Sequence, residues 1–185
     1  MSTVVRILSL VGLLVCVGSF VWGMSGRFFR EYGGKTLGFR VIQVAGAISF
    51  VSNLGALLAH DRFEAGPGLA GIALYCLSLV LFWWAVRVHR AAPPTHAFSN
   101  DLPQSLVREG PYQMMRHPFY SSYLFTLTAA LVATQEWVLL LPLAFMASIY
   151  WRAARLEEQK FEVSSLCASY RHYRATTGMF LPYLP

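Results

Sequence analysis

Charge is scarce in this sequence. Asp and Glu number nine, Lys and Arg fifteen, and charged residues make up 13% of a 185-residue chain that is 56% apolar. An ordinary soluble domain carries about a quarter of its residues as charges, so that class is excluded. Cysteine is thin as well. Cys16, Cys76 and Cys167 are odd in number and unrelated in spacing, which excludes a disulfide framework and leaves buried or inert thiols. His60, His89, His96, His117 and His172 form no HxxxH pair and the cysteines no CxxC pair, so no metal site is expected. No cluster interleaves cations with stacking aromatics, so nucleic acid is not an expected partner either.

Long apolar runs fill the space that charge leaves. Residues 4–22, 37–59 and 69–86 are each of roughly the 17 to 25 residues that a helix needs to cross about 30 Å of hydrocarbon. Two shorter runs, 119–134 and 137–151, are separated by Gln135 and Glu136 and read as a tight helical hairpin. The expected fold is therefore all-α: a polytopic membrane protein of about five transmembrane helices, three leading ones plus a carboxy-terminal hairpin, followed by an amphipathic tail helix. Residues 1–90 hold the three leading helices, and 91–185 hold a loop, the hairpin and the tail, all in one integrated domain. A secretory signal at the amino terminus is disfavoured because the first run is long and no Ala-x-Ala site follows it.

Five crossings put thirteen of the fifteen Lys and Arg on one side, leaving only Arg6 and Arg62 on the other. By the positive-inside rule the amino terminus is outside, while the linker and tail are cytoplasmic. The net charge of +6 is then a matter of topology and of membrane lipids as partners.

Between these runs lies a polar segment, residues 106–120, reading LVREGPYQMMRHPFY. Gly110-Pro111, the Arg116-His117-Pro118 triplet and Tyr112 and Tyr120 make a poor span and a good turn-rich ligand surface. The linker before it, residues 91–104, carries Pro93-Pro94 and Asn100-Asp101-Leu102-Pro103, so it is expected to be a loop. In the tail, from Arg152 to about Tyr173, the residues Leu156, Val163, Leu166, Cys167, Tyr170 and Tyr173 recur near helical spacing and form an apolar stripe. Glu158 and Glu162 would repel across one helical turn unless a cation intervenes, and Arg155 or a ligand is expected there.

The order LVxxGPY, then RHPxY at the head of a hairpin, then Arg-x-Glu-Glu, Tyr-x-x-Tyr and a terminal proline, resembles the isoprenylcysteine carboxyl methyltransferase and phospholipid methyltransferase superfamily. The resemblance covers residues 104–185, and the leading helices match only as generic membrane helices. It implies a membrane methyltransferase that uses S-adenosylmethionine and releases S-adenosylhomocysteine. It further implies that Gln104, Ser105, Leu106 and Val107 line the cofactor and that Tyr112, His117, Pro118, Phe119 and Tyr120 close around it. Glu157 or Glu158 would hold one of its polar groups, and Arg152 or Arg155 would face the methyl acceptor or the cofactor carboxylate. Among these, Arg152, Arg155, His117 and Tyr120 are the catalytic candidates. Two departures bear on the acceptor pocket: Ser122 stands where the family commonly has glycine, and the usual Phe-Gly of the tail is replaced around Leu166, Cys167 and Ala168.

The chemistry is consistent with that resemblance. Methyl transfer from a sulfonium is an in-line displacement that needs no metal, only alignment and the exclusion of water. Tyrosine rings can face the cation, a carboxylate can accept from ribose or amino groups, and His117 is the nearest base for a phenol or amine acceptor. Each residue also has a plainer reading. His117 can fix a turn, Arg116 can meet lipid phosphate, the tyrosines can form an interfacial belt, and the glutamates can be a solvated helix face. The acceptor is lipophilic or small. A prenylcysteine-like carboxylate stands first, with a phospholipid amine, a phenolic lipid or a small thiol as alternatives, and nothing in the sequence sets the oligomeric state. A membrane scaffold is the non-enzyme alternative. A transporter is disfavoured because the first three runs contain almost no acidic residue and no inverted repeat is visible.

Overall fold

A computed structural model of the chain describes residues 2–27, 37–89, 102–103 and 105–184. Gln104 and most of the expected linker, residues 90–101, lie outside the described residues. Six α-helices follow in order: α1 (Ser2–Trp22), α2 (Leu37–Ala59), α3 (Ala65–Val88), α4 (Pro118–Thr134), α5 (Leu140–Glu162) and α6 (Cys167–Thr176). Among the described residues there is no strand, and the protein is an all-α polytopic membrane protein. Four segments, Thr3–Ser25, Arg40–Ala59, Ala65–Val88 and Trp137–Glu162, are long and apolar enough to cross a bilayer. With no water in the hydrocarbon to bond the backbone, helices are the form such segments must take. Their outward faces are correspondingly apolar, as at Val4, Ile7, Val11 and Leu14 of α1.

The remaining helix of the bundle, α4, has only 17 residues and sits among the longer ones. Its small side chains explain the position, since helices in lipid associate through close packing and through hydroxyls rather than through the hydrophobic effect. Ala129, Ala130 and Ala133 are buried, and a side chain added at Gly71 of α3 would strike the Ala129 carbonyl and Ala133. Ser78 of α3 donates to the Ser122 carbonyl at 2.7 Å and lies 2.8 Å from the Thr126 hydroxyl. Ser122 is itself buried at this seam, where its hydroxyl donates to the Phe119 carbonyl.

The hairpin turn is made by Gln135, in the left-handed region at φ 56°, and Glu136, whose amide donates to the Thr134 hydroxyl at 3.3 Å. A short 3-10 turn, Trp137–Leu139, leads into α5. Here the structure corrects the expected tail. Instead of ending near Trp151 and starting a separate amphipathic helix, α5 runs unbroken to Glu162. The chain then reverses at Ser164, whose hydroxyl donates to the Phe161 carbonyl and accepts from the Leu166 amide, a local alternative to the helical ladder. Helix α6 folds back so that Phe161 and Tyr170 stack with ring centres 4.5 Å apart. The expected stripe is consequently divided: Tyr170 and Tyr173 are buried, while Val163 is 75% exposed.

Candidate active site

The polar segment forms the roof of one end of the bundle, and its shape follows from Gly110 and two prolines. Gly110 adopts φ +58°, and a side chain there would meet Val88 and the Trp84 indole. Pro111 then opens a 3-10 turn, Gly110–Gln113, and Pro118 occupies the first turn of α4, where its missing N–H costs nothing. His117 is therefore the last residue before the helix and points its imidazole at the emerging end of α5.

Two glutamates on α5 receive it. His117 Nδ1 lies 3.4 Å from Glu157 Oε2, and its Nε2 lies 3.4 Å from Glu158 Oε1. A carboxylate beside each ring nitrogen favours the form in which both nitrogens donate, the imidazolium. Burial opposes that charge, but the hydrogen bonds and charges of Glu157 and Glu158 outweigh it and raise the His117 pKa above its ordinary value.

Glu158 is 2% exposed and pairs with Arg116, whose Nε donates to Oε1 at 2.8 Å. The Arg116 guanidinium also donates to the carbonyls of Thr177 and, at 3.2 Å, Arg174. Arg174 stands between Glu158, at 3.8 Å, and Glu162, at 3.2 Å. It is thus Arg174 from α6, and not Arg155, that separates the two like charges on α5. Arg155 instead lies over the Trp151 ring, 5.9 Å from its centre.

An aromatic ladder continues from the histidine. Tyr120 stacks on His117 at 5.6 Å between ring centres and on Tyr150 at 5.0 Å, and its hydroxyl donates to Glu157 Oε1 at 2.5 Å. Tyr123 and Phe180 close its flanks at 6.4 and 6.5 Å. Next to it Tyr112, Phe119 and the half-buried Val107 pack on Phe82, Ala85 and Val86 of α3, and His89 meets the Tyr112 ring edge-on at 5.1 Å.

The structure thus gathers His117, Tyr120, Glu157 and Glu158 into one cluster, with Tyr112, Val107, Pro118 and Phe119 in the adjoining wall. Leu106 is half-buried and Ser105 exposed, Arg152 and Arg155 lie on the exposed side of α5, and Gln104 is outside the described residues. Tyr123, Tyr150, Arg174 and Phe180 belong to the assembly without having been singled out as site residues. The only advance signal for any of them was the repulsion between Glu158 and Glu162, which demanded a cation. No group of three or more His, Cys, Asp or Glu able to hold a metal occurs among the described residues.

This buried cluster roofed by the RHPxY segment lies largely inside a stretch with known relatives. The sequence profile of the phospholipid methyltransferase family matches residues 68–164, more than half of the chain. The chain belongs to the phospholipid methyltransferase family. It is a multi-pass membrane methyltransferase, and the match runs from α3 through α5, so both the hairpin and the glutamate pair fall within the matched residues. A comparison with curated proteins finds no match.

Proposed function

We propose that this methyltransferase takes its methyl group from S-adenosylmethionine bound at the His117, Glu157 and Glu158 cluster and passes it to the amine of a lipid headgroup. The observation that carries the cofactor reading is Glu158 Oε2. It is buried, 3.8 Å from Arg174, and accepts no well-formed hydrogen bond among the described residues. A buried acceptor of this kind is costly unless a donor reaches it, and a ribose hydroxyl or an ammonium group supplies one. The residues present thus fit the cofactor: carboxylates for its donors, tyrosine faces for its positive charge, and an apolar wall at Tyr112, Val107 and Phe119 for its base.

When bound, the cofactor supplies an electrophilic methyl group on a sulfonium. The chain's own residues hold and exclude. His117, pinned between two carboxylates that raise its pKa, orients Glu157 and Glu158 with both ring nitrogens engaged. Tyr120 fixes Glu157 through its hydroxyl. Glu157, with its side chain 30% exposed, is the carboxylate placed to take the proton that an amine must shed around methylation.

The resemblance puts a prenylcysteine-like carboxylate first among acceptors. Stacked tyrosines beside an accessible carboxylate support an amine instead, because the cations at the site, Arg116, His117 and Arg174, are already paired with Glu157, Glu158 and Glu162. Arg152 and Arg155, the cations expected to serve it, lie on the exposed side of α5. The family match, whose members are described as phospholipid methyltransferases, agrees with the amine. The site end of the bundle is read as cytoplasmic, by the positive-inside rule. The test is labelled methyl transfer in nanodiscs of defined lipid. Incorporation into phosphatidylethanolamine supports the amine reading, and incorporation only into a prenylcysteine overturns it. Failure to bind S-adenosylhomocysteine overturns the cofactor reading.

A further inference from the structure

We propose that the carboxy-terminal turn, residues 177–184, is a positioning element of the active site, and that Gly178 and Ser121 are positioning residues that hold Arg116 in register with Glu158. This deepens the cofactor reading above and rests on it.

Arg116 is 6% exposed, and a buried guanidinium must find acceptors within the protein. Only one comes from the site, Glu158. The others are the carbonyls of Arg174 and Thr177, supplied by the end of α6 and the start of the turn. The backbone is tied there too. The Arg116 amide donates to the Gly178 carbonyl at 2.8 Å, the Gly178 amide to the Met114 carbonyl at 3.1 Å, and the His117 amide to the Met179 carbonyl at 3.1 Å. Both residues that meet Glu158 from the RHPxY segment thus have their main chain bonded to the turn.

The turn is closed on itself and on α4. The Met179 amide donates to the Leu184 carbonyl at 3.0 Å, and the Tyr183 amide returns to the Met114 carbonyl at 3.2 Å. Ser121, 2% exposed on the first turn of α4, donates to the Phe180 carbonyl at 2.6 Å, which also seats the Phe180 ring 6.1 Å from the His117 ring. At Gly178 no side chain fits: a Cβ would lie 2.7 Å from the Leu184 nitrogen, 2.5 Å from its carbonyl oxygen, and closer still to the Leu181 carbonyl. These neighbours are backbone and cannot rotate away, so a methyl group at Gly178 opens the turn rather than deforming a side chain. An opened turn withdraws two of the carbonyls that Arg116 uses, and the guanidinium is then free to leave Glu158.

The experiment compares the full-length protein with Gly178→Ala, Ser121→Ala and Ser121→Thr in detergent, reading S-adenosylhomocysteine affinity alongside the thermal midpoint of the ligand-free protein. A turn that only contributes packing lowers the midpoint and leaves the affinity of the folded protein unchanged. A positioning turn weakens affinity at least tenfold in Gly178→Ala and severalfold in Ser121→Ala, and Ser121→Thr, which keeps the hydroxyl, restores it. Unchanged affinity in both disruptive variants overturns the proposal, as does failure of both to fold, which makes the turn a structural element alone. Absence of binding by the unmodified protein overturns the cofactor reading, and the positioning role with it.

Discussion

A histidine and glutamate meet at each end of the helix bundle, and burial makes the two meetings unlike. At one end His60 Nδ1 lies 3.2 Å from Glu136 Oε1, tying the end of α2 to the hairpin turn with side chains 23% and 48% exposed. At the other, His117 is 9% exposed and sits between Glu157 and the almost wholly buried Glu158. Water can replace either partner of the first pair, so the pair is a surface staple worth about 0–1 kcal/mol. Glu158 is 2% exposed, so its charge is answered chiefly by neighbouring side chains. The answer is a network of Arg116, His117 and Arg174 that converges on one carboxylate. The same two residue types become a staple or a site according to how much solvent reaches them.

Substitutions at the two ends should differ in proportion. The largest effect is expected for Glu158→Ala, which leaves the buried Arg116 guanidinium without its counter-ion. Breaking a buried pair this way costs about 3–5 kcal/mol. Thermal unfolding in detergent should shift down strongly and S-adenosylhomocysteine binding should vanish; an unfolding midpoint equal to that of the unmodified protein would mean that Glu158 is solvated. Tyr120→Phe comes next. It removes one hydrogen bond to a charged acceptor, about 1.5–3 kcal/mol, and should weaken ligand binding by an order of magnitude or more. Equal affinity, measured by calorimetry, would reduce Tyr120 to a stacking ring.

The buried end should also respond to pH through His117. The carboxylates of Glu157 and Glu158, against the opposing effect of burial, hold the His117 pKa above its ordinary value. A folded value above the unfolded one, about 6.5, means that the stabilisation is complete below that pH and is lost as pH rises through the folded value. Stability followed from about pH 6 to pH 9 should therefore decline, and the decline should flatten in Glu157→Gln, which removes one of the two carboxylates. A rise in stability over the same range would show that His117 is neutral in the fold. The smallest effect belongs to Glu136→Gln at the far end, below about 1 kcal/mol and with ligand binding untouched. A loss of binding there would couple the two ends and undo their contrast.

Much of the fold was legible beforehand because bilayer physics is read by length and composition. The first three helices, the hairpin at Gln135 and Glu136, and the turn at Gly110 and Pro111 all lie where apolar runs, a polar pair and a Gly-Pro dipeptide put them. The tail was not legible in the same way. Helical periodicity continues past Glu162 without interruption, and the Ser164 hydroxyl, bonding the Phe161 carbonyl and the Leu166 amide, helps turn α6 back onto α5. Arg155 was the natural partner for Glu158 by spacing along one helix. Arg174, sixteen residues beyond Glu158, reaches it only because the chain reverses.

From composition and order alone, this chain was bound to be an all-α membrane protein with a turn-rich polar segment at RHPxY, since hydropathy and local turn chemistry act over short stretches of sequence. Which charges meet was settled by the fold. Arg116, His117, Glu157, Glu158 and Arg174 come from three separate segments, and burial forces them to satisfy one another. That requirement acts through space, across intervals along which the sequence carries no periodic mark.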